Sequence, residues 1–131
     1  MKLARIYAGA DGESHFDDLD LPMDTTQRRA TSVAIAATQA AFGLSDALEP
    51  QDWHHAPRRQ LVAVLSGLLE IEVGDGSLAR FGPGDTFLAD DLTGRGHLTR
   101  DLAGPVRLLY LHLPDNLDFT PWQQSLAQTT T

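Results

Sequence analysis

Apolar and polar residues alternate with a period of two over Leu69-Glu70-Ile71-Glu72-Val73, the pattern of a half-buried strand with Glu70 and Glu72 on its solvated face. Just before it, the unbroken apolar run Leu61-Val62-Ala63-Val64-Leu65 is interrupted by Ser66-Gly67, and the pair predicts a hairpin. Gly74-Asp75-Gly76 then leads into a strand over Ser77–Phe81, and Gly82-Pro83-Gly84-Asp85 forces a tight turn before Thr86-Phe87-Leu88-Ala89. A last strand is expected over Val106–Leu113, stopped by Pro114. Near the start, Lys2–Ala8 reads as an opening strand and Asp11-Gly12-Glu13-Ser14 as the turn after it. Ala30–Phe42 is ambiguous, because its alanines favour helix while Val33, Ile35 and Ala37 alternate as a strand would. The tail from Asn116 to Thr131 is polar and expected to fray, although Phe119 and Trp122 offer a short helix something to dock with. Several short strands joined by Gly/Pro turns, with no long helical stripe, predict a sandwich or barrel.

At 131 residues the chain has the size of a single domain, able to bury a core without disulfides. It contains no cysteine, which removes thiolate metal sites and cysteine nucleophiles and restricts any metal to nitrogen and oxygen ligands. The net charge of −8, gathered at Asp17, Asp18, Asp20, Asp90 and Asp91, opposes nucleic-acid binding. No apolar stretch is long enough for a helical bilayer span and the opening residues lack a signal-peptide core, so the expected partner is a small molecule rather than a membrane, and the expected location is the cytoplasm.

Chemistry is concentrated in the middle of the chain. Of five histidines, His54 and His55 precede the apolar run that Gln60 opens, and His97 follows the glycine-containing loop Asp90–Gly96. In an extended chain Trp53 and His55 point one way and His54 the other, so only one of the adjacent pair looks inward. Tyr110 and His112 share a face of the last strand, which makes them candidates for a pocket wall. Arg58 and Arg59 are suited to clamping a carboxylate or phosphate, or to pairing with Asp90 or Asp91. His15 has the ordinary reading of a hydrogen-bonded structural residue.

The stretch Trp53-His54-His55-Ala56-Pro57-Arg58-Arg59-Gln60, with Gly67 after it and then Gly82-Pro83-Gly84-Asp85 and His97, resembles the two motifs of the small cupins. The likeness covers residues 53–113 and implies that the whole chain, 1–131, is one all-β cupin-type jelly-roll barrel of about ten strands, with a pocket between its sheets and a homodimer formed through edge strands. In that alignment His55 takes the place of the second motif histidine, Gln60 that of the glutamate and His97 that of the late histidine. Trp53 replaces the first motif histidine, and a neutral amide stands where the family has a carboxylate. Shifting by one residue makes His54 the inward ligand with Asp52 as its partner. Three functions are compatible with this reading. In one, a weakly held Fe, Mn, Ni or Zn on His54 or His55, Gln60 and His97 assists the oxidation or isomerisation of a small oxygenated substrate. In another, no metal is needed, and His97 with His54 or His55 acts as an acid–base pair for an isomerase, lyase or cyclase. In the third, the pocket only binds a small molecule. Trp53, Arg58, Tyr110 and His112 are the expected further pocket residues.

Overall fold

A computed structural model of the chain describes residues 1–46 and 52–123; the polar end of the tail lies outside them. Its strands are β1 (Lys2–Ala8), β2 (Ser14–Asp20), β3 (Met23–Asp24), β4 (Thr31–Ser32), β5 (Gln39–Ser45), β6 (Gln60–Glu72), β7 (Leu78–Phe81), β8 (Thr86–Asp90) and β9 (Leu98–His112). The fold is an all-β barrel of the jelly-roll class. A seven-stranded sheet runs β2-β1-β8-β6-β9-β5, with β7 added on β6, and β3 and β4 form a separate two-stranded ribbon. Nine strands thus stand among the described residues against the ten or so expected. Within Ala30–Phe42 the helix option fails: Thr31–Ser32 and the start of β5 are extended. Seven backbone pairings between β5 and β9, from Gln39↔His112 to Ser45↔Val106, override the helix preference of the alanines.

The side-chain period of two explains how the barrel sorts its residues. Ala4 and Ile6 of β1, Val62 and Val64 of β6, and Phe87 and Ala89 of β8 belong to the inner core, together with Leu69, Ile71, Val73, Phe81 and Val106. Their neighbours in sequence, Leu3, Leu61 and Leu88, join Leu19, Leu21, Leu113 and Trp122 in a second core behind the sheet. The apolar run at Leu61–Leu65 is therefore continuous because its first residues are buried from both sides. Trp122 sits in the short helical segment that begins at Thr120, and it seals the second core as the tail aromatics foretold.

One expectation needs correction. Leu61–Leu65 and Leu69–Val73 are not two arms of a hairpin but halves of one strand, β6, that pairs along its length with β9. The register shifts three times between Val64 and Leu69, so Ser66-Gly67 is a bulge rather than a reversal. Inner-facing positions are even before it (Val62, Val64) and odd after it (Leu69, Ile71). Gly67 has φ +83°, and a Cβ there would lie 2.8 Å from the carbonyl oxygens of Ala103 and Pro105. The bulge lets β6 and β9 bend so that both halves of each strand line one cavity.

The outer face of this sheet carries ion pairs that are buried or partly buried. Arg5 contacts Asp17 at 2.6 Å and Asp90 at 3.6 Å, while Arg59 contacts Asp90 at 2.7 Å. Both guanidinium groups lie over Phe119, and Arg59 Nη1 also donates to the Leu117 carbonyl at 3.2 Å, tying the C-terminal segment to the sheet. Glu70 and Glu72 face outward as expected but are not simply solvated: Arg100 bonds both, and Arg80 bonds Glu70.

Candidate functional site

A cavity of about 530 Å³ opens between the two halves of the barrel, within the range of small-molecule sites. Its apolar wall comes from inner-facing strand residues such as Val62, Leu69, Ile71, Phe87 and Leu108. Polar groups reach it from several segments, among them His54 and Arg58 from the chain before β6, Gln60 from the start of β6, His97 from the loop after β8, and Asp101, Tyr110 and His112 from β9. Counting back from Gln60 in steps of two gives Arg58, Ala56 and His54, and all four line the cavity.

His54 and His97 are joined through their backbones. His54 N–H donates to the His97 carbonyl at 3.0 Å and His97 N–H donates to the His54 carbonyl at 2.9 Å, an isolated antiparallel bridge. The two rings lie with centroids 4.7 Å apart. Gly96, at φ +83°, makes the approach possible, because a Cβ there would collide with the His54 carbonyl. The Gly96 carbonyl is fixed in turn by the Ser14 hydroxyl, which donates to it at 2.6 Å.

Behind His97 stands Asp91, fully buried, whose Oδ2 accepts the His97 Nδ1–H at 2.5 Å. Its main-chain carbonyl accepts from Ala56 N–H at 2.9 Å, which locks the loop to the segment carrying His54. Asp91 Oδ1 has no hydrogen-bond partner among the described residues. With Nδ1 committed to Asp91, Nε2 is the ring nitrogen of His97 left for the cavity. From the sequence alone Asp91 reads as surface charge or as a partner for arginine. An acid at the start of a glycine-containing loop that ends in a histidine was the available signal.

The other expected site residues divide clearly. Gln60 is buried on the cavity wall, and its amide takes no hydrogen bond among the described residues. Tyr110 lines the cavity, and burial, followed by the charge of Asp101, pushes its phenol pKa up, so the hydroxyl keeps its proton and can donate. His112 lines it too. His55 and Trp53 do not: the His55 ring turns to the Ala56 carbonyl at 3.0 Å, and Trp53 lies under the Arg95 guanidinium at 4.0 Å. The alignment that placed His55 inward is thus corrected to the neighbouring register. The carboxylate foreseen for that register does not accompany it, since Asp52 contacts the His54 ring only through its main-chain oxygen at 2.9 Å.

The neutral nitrogen and oxygen groups on the cavity wall include the imidazoles of His54, His97 and His112 and the amide of Gln60. No group of three His, Cys, Asp or Glu side chains able to hold a metal ion is present among the described residues. This neutral set is a poor match for tightly held Fe, Mn, Ni or Zn, whose sites of this kind normally include a carboxylate.

No family model matches the chain, and no curated protein matches it. Among solved structures it is similar to a conserved protein of unknown function from Streptococcus pyogenes, at 21% identity over 63% of this chain and 81% of that one, with a TM-score of 0.43. It is also similar to a putative ethanolamine utilization protein from Salmonella typhimurium LT2, at 18% identity over 88% of this chain and 98% of that one, with a TM-score of 0.44.

Proposed function

We propose that this barrel is a small-molecule enzyme of cupin type that transfers a proton on a small oxygenated substrate, in an isomerase, lyase or cyclase step, without a resident metal. The observation that carries the reading is the dyad of buried Asp91 and His97, whose ring lines a cavity of mixed apolar and polar wall. A carboxylate held out of water with one oxygen unpartnered is unfavourable by about 1–3 kcal/mol, and groups of that kind cluster where chemistry requires them. Asp91 fixes the tautomer of His97 and steadies the positive charge that appears on the ring when Nε2 takes a proton. In the step envisaged, Nε2 removes a proton from the carbon beside a substrate carbonyl, and the electron pair of that C–H bond moves onto the carbonyl oxygen. The Gln60 amide and the Tyr110 hydroxyl, which line the same cavity, are the donors proposed for the developing oxyanion. Return of the proton from His97 to another atom of the substrate completes an isomerisation, with no oxidant required.

The test is deuterium exchange in D2O with a panel of small ketones and oxo acids. Exchange beside the carbonyl should be catalysed by the parent protein, and His97→Asn and Asp91→Asn should each slow it by about a hundredfold or more. A folded parent that catalyses no exchange over background with any of them would contradict the proposal and leave the cavity as a binding site.

A further inference from the structure

The arginines of this chain are unequally partnered. Arg5, Arg59, Arg80, Arg95 and Arg100 each contact at least one carboxylate. Arg58 lines the cavity and pairs with no carboxylate among the described residues. It contacts a neutral acceptor: Nη1 donates to His112 Nε2 at 3.2 Å, while Nδ1 of the same ring faces Gln39 Oε1 at 3.3 Å. Gln39 on β5, His112 on β9 and Arg58 before β6 therefore form a relay that orients the guanidinium without neutralising it. Arg28, Arg29 and Arg107 likewise show no carboxylate partner among the described residues, but of these four arginines Arg58 alone lines the cavity, at its solvent-exposed rim. Asp101, the acid on the cavity wall, forms no ion pair with Arg58.

We infer that the ligand of this cavity is a small amphipathic carboxylic acid, its carboxylate held by Arg58 and its apolar body packed on Val62, Phe87 and Leu108. This rests on the cavity being the site of the proposed proton transfer and names its substrate class. A planar fork of N–H donors matches a carboxylate in a two-bond contact. A single arginine, with no second cation on the cavity wall among the described residues, suits one negative charge better than the two of a phosphate ester. The apolar wall supplies the hydrophobic part of the affinity.

The inference is tested by NMR titration of the whole protein with octanoate, octanol and octyl phosphate, using the parent, Arg58→Gln, Arg58→Lys and His97→Asn. The parent should bind octanoate at least about tenfold more tightly than octanol and more tightly than octyl phosphate. Arg58→Gln should erase the preference over octanol while leaving octanol affinity unchanged, which also shows that the cavity is intact. Arg58→Lys should restore it in part, and His97→Asn should leave it in place. Equal binding of octanoate and octanol by the parent, tighter binding of octyl phosphate, a preference that survives Arg58→Gln, or no binding of any probe would overturn the assignment. Failure of proton transfer is read separately in the deuterium exchange, so a carboxylate preference lost with Arg58 would stand even if His97→Asn exchanged like the parent.

Discussion

Gln60 marks the difference between this cavity and a strong cation site. It occupies a buried position on the wall of the cavity that His54 and His97 also line, and as an amide it offers a weak neutral oxygen. Gln60→Glu should therefore raise affinity for Mn(II) or Zn(II) by about tenfold or more, measured by titration calorimetry; unchanged affinity would place the side chain away from the imidazoles. His15 makes a second prediction at this scale. Its ring lies between Asp11, at 3.0 Å from Nε2, and Asp75, at 3.1 Å from Nδ1, and hydrogen bonds to Asp11 and then Asp75 push its pKa up. Because the folded pKa is raised, the stabilisation is fully present below the unfolded value of about 6.5 and fades as pH rises through the folded value. Asp75→Asn should bring the His15 pKa down toward the ordinary value in an NMR titration, and no change would show that the contact is not formed in solution. At single residues, legibility followed parity. Gln60 and His97 were readable as pocket residues from the motif, Tyr110 and His112 only as candidates from a shared strand face, and His54 and His55 differ by a one-residue register that sequence alone leaves open. Asp91 was hidden because a surface acid and a buried partner of histidine look alike until the loop is closed.

Strand β6 shows where sequence reading of elements stops. A serine and glycine between apolar runs signal an interruption but do not say whether the chain reverses or bulges, and the long partner β9 decides for a bulge. The cost of altering it can be stated. Gly67→Ala forces a methyl group toward two carbonyl oxygens at positive φ, so the protein should lose about 1–3 kcal/mol in denaturant unfolding. A smaller loss would mean that β6 relaxes more easily than its pairing implies. The C-terminal segment was legible for the opposite reason: Phe119 and Trp122 are large apolar residues in a polar tail, and burial is their favourable state. Trp122→Ala should cost about 3–5 kcal/mol, because it empties the second core behind Leu61 and Leu88.

For the whole molecule, the end strands β2 and β5 of the sheet path differ in a way that bears on assembly. Strand β2 carries Asp17, Asp18 and Asp20, charges that discourage another strand from adding there. Strand β5, the other end strand, has no charged residue and leaves Phe42 76% and Leu44 73% exposed. We therefore expect a homodimer formed through β5, seen as a dimer mass by light scattering at micromolar concentration and reduced to a monomer by Phe42→Asp; a monomeric parent would refute this. The barrel itself was foreseeable from regularly spaced turns and short strands, while the cavity chemistry depended on long-range closure that no local pattern encodes. That closure brings Asp91, His97 and His54 together from segments far apart in sequence, and it assigns one protonation pattern to His97. The most direct measurement of it is a long-range proton–nitrogen NMR spectrum of the histidine side chains in the parent and in Asp91→Asn. The account requires His97 to carry its proton on Nδ1 with a bare Nε2 that shifts when octanoate is added, and to lose that preference in Asp91→Asn. A His97 protonated on Nε2 in the parent, or a spectrum indifferent to both the ligand and the substitution, would contradict it.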